Sequence, residues 1–200
     1  ELTQKEVIYK IGSIVEGRSL ETSEHVKRVA RGSELLALLS GMNEKEAAQL
    51  KLATPMHDVG KIPIPDNILN KSGKLTNNEY KKMKKHTKIG YKILKNSARP
   101  IMRTAAIVAY QHHEKWDGSG YPRALKGEDI HIFGRIIAVA DVFDALFSPR
   151  VYKESWPIEE TVQWITEQRG KHFEPALVDI FLDNVDVFVA IYNKYPADNI

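Results

Sequence analysis

The sequence predicts an all-α fold, and three observations carry that reading. Apolar residues recur three and four positions apart through most of the chain. Prolines, glycines and capping residues punctuate these runs at their ends. Alternation of the strand type never persists, and there is neither an internal repeat nor a low-complexity segment. With 200 residues, 42% hydrophobic and 28% charged, the chain suits one domain, or one domain with an added element, around a sizeable core.

Residues 4–17 form the first expected helix, with Val7, Ile8, Ile11 and Ile14/Val15 on one stripe. It begins without a cap of its own. Residues 1–20 are therefore read as an N-terminal helix that either continues from an upstream domain or simply packs on residues 21–200. Thr22 to Ser40 is the second helix, with Val26, Val29, Ala30, Leu35, Leu36 and Leu39 inward and Gly41 as its stop. Asn43 with Glu46 caps a third, ending near His57. Gly60, Pro63, Pro65 and Gly73 make 58–74 a loop, of a length that often carries function. Thr76 with Glu79 caps a fourth helix that runs to about Lys95, and a fifth follows Pro100 to His113. Trp116 to Pro122 is too rich in glycine and proline for regular structure. A sixth helix covers about Ile132 to Phe147. Pro157 opens a seventh and Gly170 closes it. The last helical stretch, Pro175 to Tyr195, has a break near Asn184.

Composition narrows the chemistry. A net charge of +3 is too small to argue for DNA binding, though a local basic patch could hold phosphates. Zero cysteines exclude disulfides and thiolate zinc sites. Any metal must be held by His, Asp and Glu, a set that favours iron or manganese. No apolar run approaches the ~20 residues of a membrane span, and residues 1–5 lack a signal-peptide layout, so the expected setting is cytoplasmic.

The organising stretch is His57-Asp58-Val59-Gly60-Lys61. A neutral nitrogen and a hard carboxylate there can reach one metal from one turn of backbone. Taken alone the pair reads equally as a polar helix end. Other groups of the same kind accompany it at helical spacing. Glu21 and His25 share a helix face. His86 lies mid-helix, His112 and His113 end a helix, and Asp141 and Asp144 are three apart on the sixth helix. Asp141 sits in an apolar stretch, where a carboxylate needs a partner. Helical bundles build metal sites from side chains on facing helices. With Asp144 set aside, the eight candidate ligands suit two or three ions, and paired ions activate water for in-line displacement at phosphorus. Lys61 then reads as a positive charge beside the nucleophile, held by Asp144; an ordinary exposed lysine is the alternative. Arg150 and Lys153 form a basic pair for a second phosphate. His131 and His172 are left outside this set, His172 as the residue of a helix junction.

These motifs together resemble the HD-GYP family. The resemblance runs from about Thr3 to Leu182. It rests on Glu21-Thr22 with His25, His57 to Lys61, Ile64 to Leu69 with Lys71, His86, His112-His113-Glu114, Trp116 to Pro122, Ala140 to Leu146, Arg150, Tyr152-Lys153, and His172 to Pro175. It implies an HD-superfamily bundle of about seven to nine helices, with 21–200 as the catalytic domain. It implies a phosphodiesterase that opens cyclic di-GMP to pGpG, GMP or both, by attack of a hydroxide bridging two or three iron or manganese ions. The implied metal ligands are His57, Asp58, His86, His112, His113 and Asp141, with Glu21 and His25 at a third ion. Lys61 matches the lysine near the hydroxide, Asp144 its acidic partner, and Tyr121, Arg150 and Lys153 the substrate positions. Val151 stands where the family often has proline, and Arg18-Ser19-Leu20 lacks an acidic residue common there. Family partners include an upstream sensor or receiver domain, a GGDEF-domain protein and a second copy. Hydrolysis of cyclic GMP-AMP, and a binding module with little turnover, are the competing readings. The intact Gly120-Tyr121-Pro122 speaks against a general HD-superfamily nucleotidase.

Overall fold

In the computed structural model, residues 2–19, 22–148 and 155–195 are described. They form α1 (Leu2–Arg18), α2 (Ser23–Leu39), α3 (Glu44–Ala53), α4 (Asp66–Leu69), α5 (Asn77–Met83), α6 (Lys85–Leu94), α7 (Pro100–Gln111), α8 (Ile132–Phe147), α9 (Ile158–Glu167), α10 (Pro175–Leu182) and α11 (Val185–Lys194). No β-strand is present among the described residues.

Helix α8 is apolar almost all round, and such a helix belongs in the interior. Ile136, Ile137, Val139, Ala140 and Phe143 are fully buried. They pack with Val29 and Leu36 of α2, Phe181 of α10, and Phe188 and Tyr192 of α11. Each buried Ile, Leu, Val or Phe side chain among these contributes roughly 1.5–3 kcal/mol by leaving water. The Tyr192 hydroxyl donates to the Ala140 carbonyl at 3.1 Å, which seats α11 on α8. A second apolar cluster joins Ile8 and Val15 of α1, Ala53, Met56, Val59, Leu94 of α6 and Ala105, Ala106 and Ala109 of α7.

Three elements differ from expectation. The third helix stops at Ala53 rather than near His57, because Pro55 lacks the N–H that would continue it, and a 3-10 turn over Thr54–Met56 follows. The 58–74 segment is not wholly loop: it holds a 3-10 turn at Val59–Lys61 and the short α4. The fourth helix is two helices, with Lys84 between them. There the Met83 and Lys84 carbonyls take bonds from His86 Nδ1 (2.8 Å) and Thr87 Oγ1 (3.0 Å), competing with the helix ladder. Its start is as expected, a complete Thr76/Glu79 capping box. Asn184 does interrupt the last helical stretch. On α1 the inward face is narrower than the expected stripe: Ile8 and Val15 are buried, while Val7, Ile11 and Ile14 are exposed, as is Leu39 on α2.

Two glycines bring elements of the centre into backbone contact. A Cβ on Gly12 would lie 2.5 Å from the Pro55 carbonyl oxygen, so α1 meets the 54–56 turn backbone to backbone. A Cβ on Gly60 would lie 1.9 Å from the His86 carbonyl oxygen and 2.5 Å from the Gly90 nitrogen. This second contact fixes the distance between the His57-Asp58 turn and α6.

The obstruction at Gly60 is backbone, which cannot rotate away. Gly60→Ala is therefore expected to destabilise the fold by about 3 kcal/mol or more. Gly17→Ala, where a Cβ meets nothing within 4 Å, is expected to be neutral or slightly stabilising. Denaturant midpoints of the two variants measure the contrast.

Candidate metal centre

Five elements deliver side chains to one place between the two apolar clusters. His25 comes from α2, His57 and Asp58 from the turns after α3, His86 from α6, His112 and His113 from the end of α7, and Asp141 from α8. His25, His57, Asp58, His86 and His112 are buried.

Four of the histidines share one device. Each directs Nδ1 at an oxygen outside the centre: His25 at Asp144 Oδ2 (2.6 Å), His57 at the Thr54 carbonyl (2.9 Å), His86 at the Met83 carbonyl (2.8 Å) and His112 at the Val108 carbonyl (3.1 Å). A carbonyl or carboxylate oxygen only accepts, so Nδ1 carries the hydrogen. In the neutral ring Nε2 is then the lone-pair nitrogen. Metal-binding histidines are oriented in this way.

The Nε2 atoms converge on Asp58. Its Oδ1 lies 3.2 Å from His86 Nε2 and 3.6 Å from His112 Nε2, and these two nitrogens are 3.3 Å apart. Its Oδ2 lies 3.3 Å from His57 Nε2 and 2.5 Å from Lys61 Nζ. Asp58 Oδ1 is buried without a hydrogen-bond partner among the described residues. Acceptors crowded this closely repel one another unless a cation sits among them. Asp58, His86, His112 and His113 offer one ligand atom each, all within 4.8 Å of one another, and Glu16, His25 and His57 make a second such group. These nitrogen and oxygen donors fit divalent cations, with Asp58 facing both groups.

The electrostatics agree. Burial disfavours the Asp58 anion, yet Lys61 and His57 outweigh it and hold the carboxyl well below the ordinary range. Burial also disfavours charge on His57, but Asp58, Glu16 and Asp141 overcome it and push the ring up to about 10. The field there favours positive charge, which a cation would supply. Burial pushes His86 down to about 4, and lowers His113 as well, so both rings are neutral at pH 7, as a metal ligand must be.

Asp144 is not the partner of Lys61 that the sequence suggested. Its carboxylate is buried against Arg28, through Nε at 2.5 Å and Nη2 at 3.3 Å, and accepts from His25 and Ser148. Lys61 pairs instead with Asp58 and with Glu16 Oε2 (3.2 Å). One helical turn carries Asp144 away from Asp141 toward α2, so it orients His25 from behind. Burial raises the Asp144 carboxyl, and the charges of His25 and Arg28 bring it down to about 2. Asp141 is partly exposed, with Oδ1 3.9 Å from His25 Nε2. Tyr121 stands beside the centre, its ring 4.8 Å from that of His113 and 6.3 Å from that of Tyr80. Glu21, Arg150 and Lys153 lie outside the described residues.

Several residues at work here carried no signal that separated them from ordinary surface charges. Glu16 and Arg28 are buried ion-pair members. Arg18 binds the Ile62 and Ile64 carbonyls and Asp66, tying down the segment after Lys61. Buried Glu114 accepts from the Arg123 and Leu125 amides and so shapes the loop that carries Tyr121. The Trp116 and Asp117 amides donate to the His172 and Lys171 carbonyls, the junction role expected for that segment.

Asp144→Asn would leave the Arg28 charge buried without its partner. The expected cost is about 3–5 kcal/mol of stability, with metal affinity about 10- to 100-fold weaker through the loosened His25. Denaturation curves and metal titration of the folded variant measure the two effects.

An HD domain family model matches residues 12–177. The 3'3'-cGAMP-specific phosphodiesterase 2 of Vibrio cholerae is 50% identical over 194 residues, 97% of this chain and 37% of that protein. The cyclic di-GMP phosphodiesterase of Thermotoga maritima is 44% identical over 189 residues, 94% of this chain and 51% of that protein. The chain thus spans about half, or less, of these relatives. A crystal structure of a cyclic GMP-AMP specific phosphodiesterase from V. cholerae shares the fold, with a TM-score of 0.67 at 18% identity over 96% of this chain and 54% of the other. The chain belongs to the HD-domain family, and within it to the HD-GYP group whose motifs it carries.

Proposed function

We propose that this domain is a metal-dependent phosphodiesterase that hydrolyses a cyclic dinucleotide, with cyclic di-GMP as substrate and pGpG, GMP or both as products. One observation carries the reading. The Nε2 atoms of His86 and His112 and the bare Asp58 Oδ1 converge in a buried site, with the Lys61 ammonium 2.5 Å from the other Asp58 oxygen. Asp58, His86, His112 and His113 would hold one divalent ion and His25 and His57 a second, with Asp141 beside them. Iron or manganese is the proposed metal, from the donor set. When bound, such ions supply Lewis acidity toward phosphate oxygens and make water more acidic.

The chain's own groups do the rest. Lys61 places a fixed positive charge where negative charge grows on the phosphoryl oxygens, in a site shielded from water. Tyr121 offers a ring face beside His113, with Lys84 Nζ 5.5 Å from its centroid. We assign that wall to one side of the ligand, and Arg150 with Lys153 to a second phosphate. Glu21, as an additional ligand, belongs to the same proposal.

A second substrate has a specific argument: the relative at 50% identity is named for 3'3'-cGAMP. Purified protein reconstituted with Mn²⁺ or Fe²⁺ should be given each dinucleotide in parallel, and the products separated by chromatography. The expected result is a linear dinucleotide from cyclic di-GMP, lost on metal removal and at least about 1000-fold slower in Asp58→Asn. Turnover of 3'3'-cGAMP alone would reassign the substrate. Binding without turnover of either, by protein with a full metal complement, would make the domain a regulatory binding module.

A further inference from the structure

We infer that Glu16 is an acidic ligand of the second ion, acting with His25 and His57, while its other carboxylate oxygen positions Lys61. The inference rests on the metal centre above and not on the substrate assigned to it.

Glu16 is fully buried, and an ionised carboxylate in that position needs compensation on both oxygens. The two oxygens are treated differently. Oε2 receives Lys61 Nζ at 3.2 Å and the Ser19 hydroxyl at 3.1 Å. Oε1 is buried with no hydrogen-bond partner among the described residues. It faces His57 Nε2 at 3.7 Å, and that nitrogen is also buried without a hydrogen-bond partner among the described residues.

Direct bonding between them does not explain the pair, since 3.7 Å exceeds hydrogen-bond range. The His57 Nδ1 hydrogen is bonded to Thr54, so what lies between Nε2 and Oε1 is a second ring proton or a cation, and at 3.7 Å a ring proton makes no hydrogen bond. An ion about 2.1 Å from each would span this gap at an open ligand–metal–ligand angle. His25 offers the third ligand atom, within 4.8 Å of both, and Asp144 holds its ring from behind.

The fold delivers Glu16 by a specific route. Gly12 lies four residues earlier, on the same face of α1. Its missing Cβ lets α1 close on the Pro55 carbonyl, two residues before His57. One turn further along, Glu16 reaches the centre. Glu16 thereby links the ion to Lys61, so the ammonium is set by the same carboxylate that would bind the metal.

A plain counter-ion to Lys61 is the rival role, and metal stoichiometry separates the two. Wild type, Glu16→Gln, Ser19→Ala and the double variant Glu16→Gln/Lys61→Met are reconstituted with Mn²⁺. Bound metal per chain is counted, Mn²⁺ affinity titrated and helicity recorded. Glu16→Gln is expected to keep the ion at Asp58, His86, His112 and His113. It should lose one equivalent, or bind it at least about 10-fold more weakly. Ser19→Ala should match wild type, and the double variant should still lack the equivalent. Wild-type stoichiometry and affinity in Glu16→Gln would overturn the inference, as would recovery of the lost ion in the double variant. If Glu16→Gln does not fold, Glu16→Asp takes its place, with the shorter carboxylate expected to weaken the same equivalent and an unchanged affinity overturning the assignment. Failure of both dinucleotides as substrates would sink the proposed function and leave this metal count unaffected.

Discussion

The structure depends on rings held by one nitrogen so that the other faces inward. His25, His57, His86 and His112 each spend Nδ1 on an oxygen outside the centre. Three of those oxygens are backbone carbonyls from the turn that carries the histidine itself. The bond that selects the tautomer therefore also shapes the chain. At His86 it takes the Met83 carbonyl at the point where α5 gives way to α6. At His57 it stabilises the 3-10 turn that Pro55 begins. Local backbone geometry and ligand chemistry are one constraint here, because an imidazole with a fixed hydrogen offers a lone pair in only one direction.

Asp144 is the exception, and it explains why α2 and α8 are bound by charge as well as by apolar contact. Its carboxylate joins His25 and Arg28 of α2 in a site closed to solvent. A buried pair of this kind is weak evidence for stability, since desolvation offsets most of the attraction. Its value lies in geometry: it fixes which way His25 turns. Asp141, three residues earlier on α8, faces the centre itself. Two carboxylates on one helix thus meet the His25 ring from its two sides, a division set by the 3.6-residue turn.

Asp58 has the corresponding place on the other side. One oxygen faces the nitrogens of His86 and His112 and the other faces His57 and Lys61. It is one side chain shared by both ligand groups, and the backbone approach at Gly60 sets how near α6 can come to it. Packing precision at a residue with no side chain therefore controls the spacing of the candidate ligands.

Fold class, most helix boundaries and the inward helices were legible in the sequence, because caps, prolines and heptad-like spacing act within a few residues. The capping box at Thr76 and the span of α8 are local matters of this kind. The residue types of the centre were legible too, since histidines beside carboxylates on several helices point to a metal whatever their arrangement. Partnership was not legible. Asp144 and Lys61 are both charged and near ligands in sequence, yet Asp144 pairs with Arg28 and Lys61 with Asp58 and Glu16. Glu16 looked like any polar position on an amphipathic helix until α1 closed on Pro55. Sequence by itself determined which groups could bind a cation and on which helices they ride. Only the tertiary structure decided which of them meet, because buried ion pairs form between elements far apart in the chain and their choice depends on ångström-scale packing between helices.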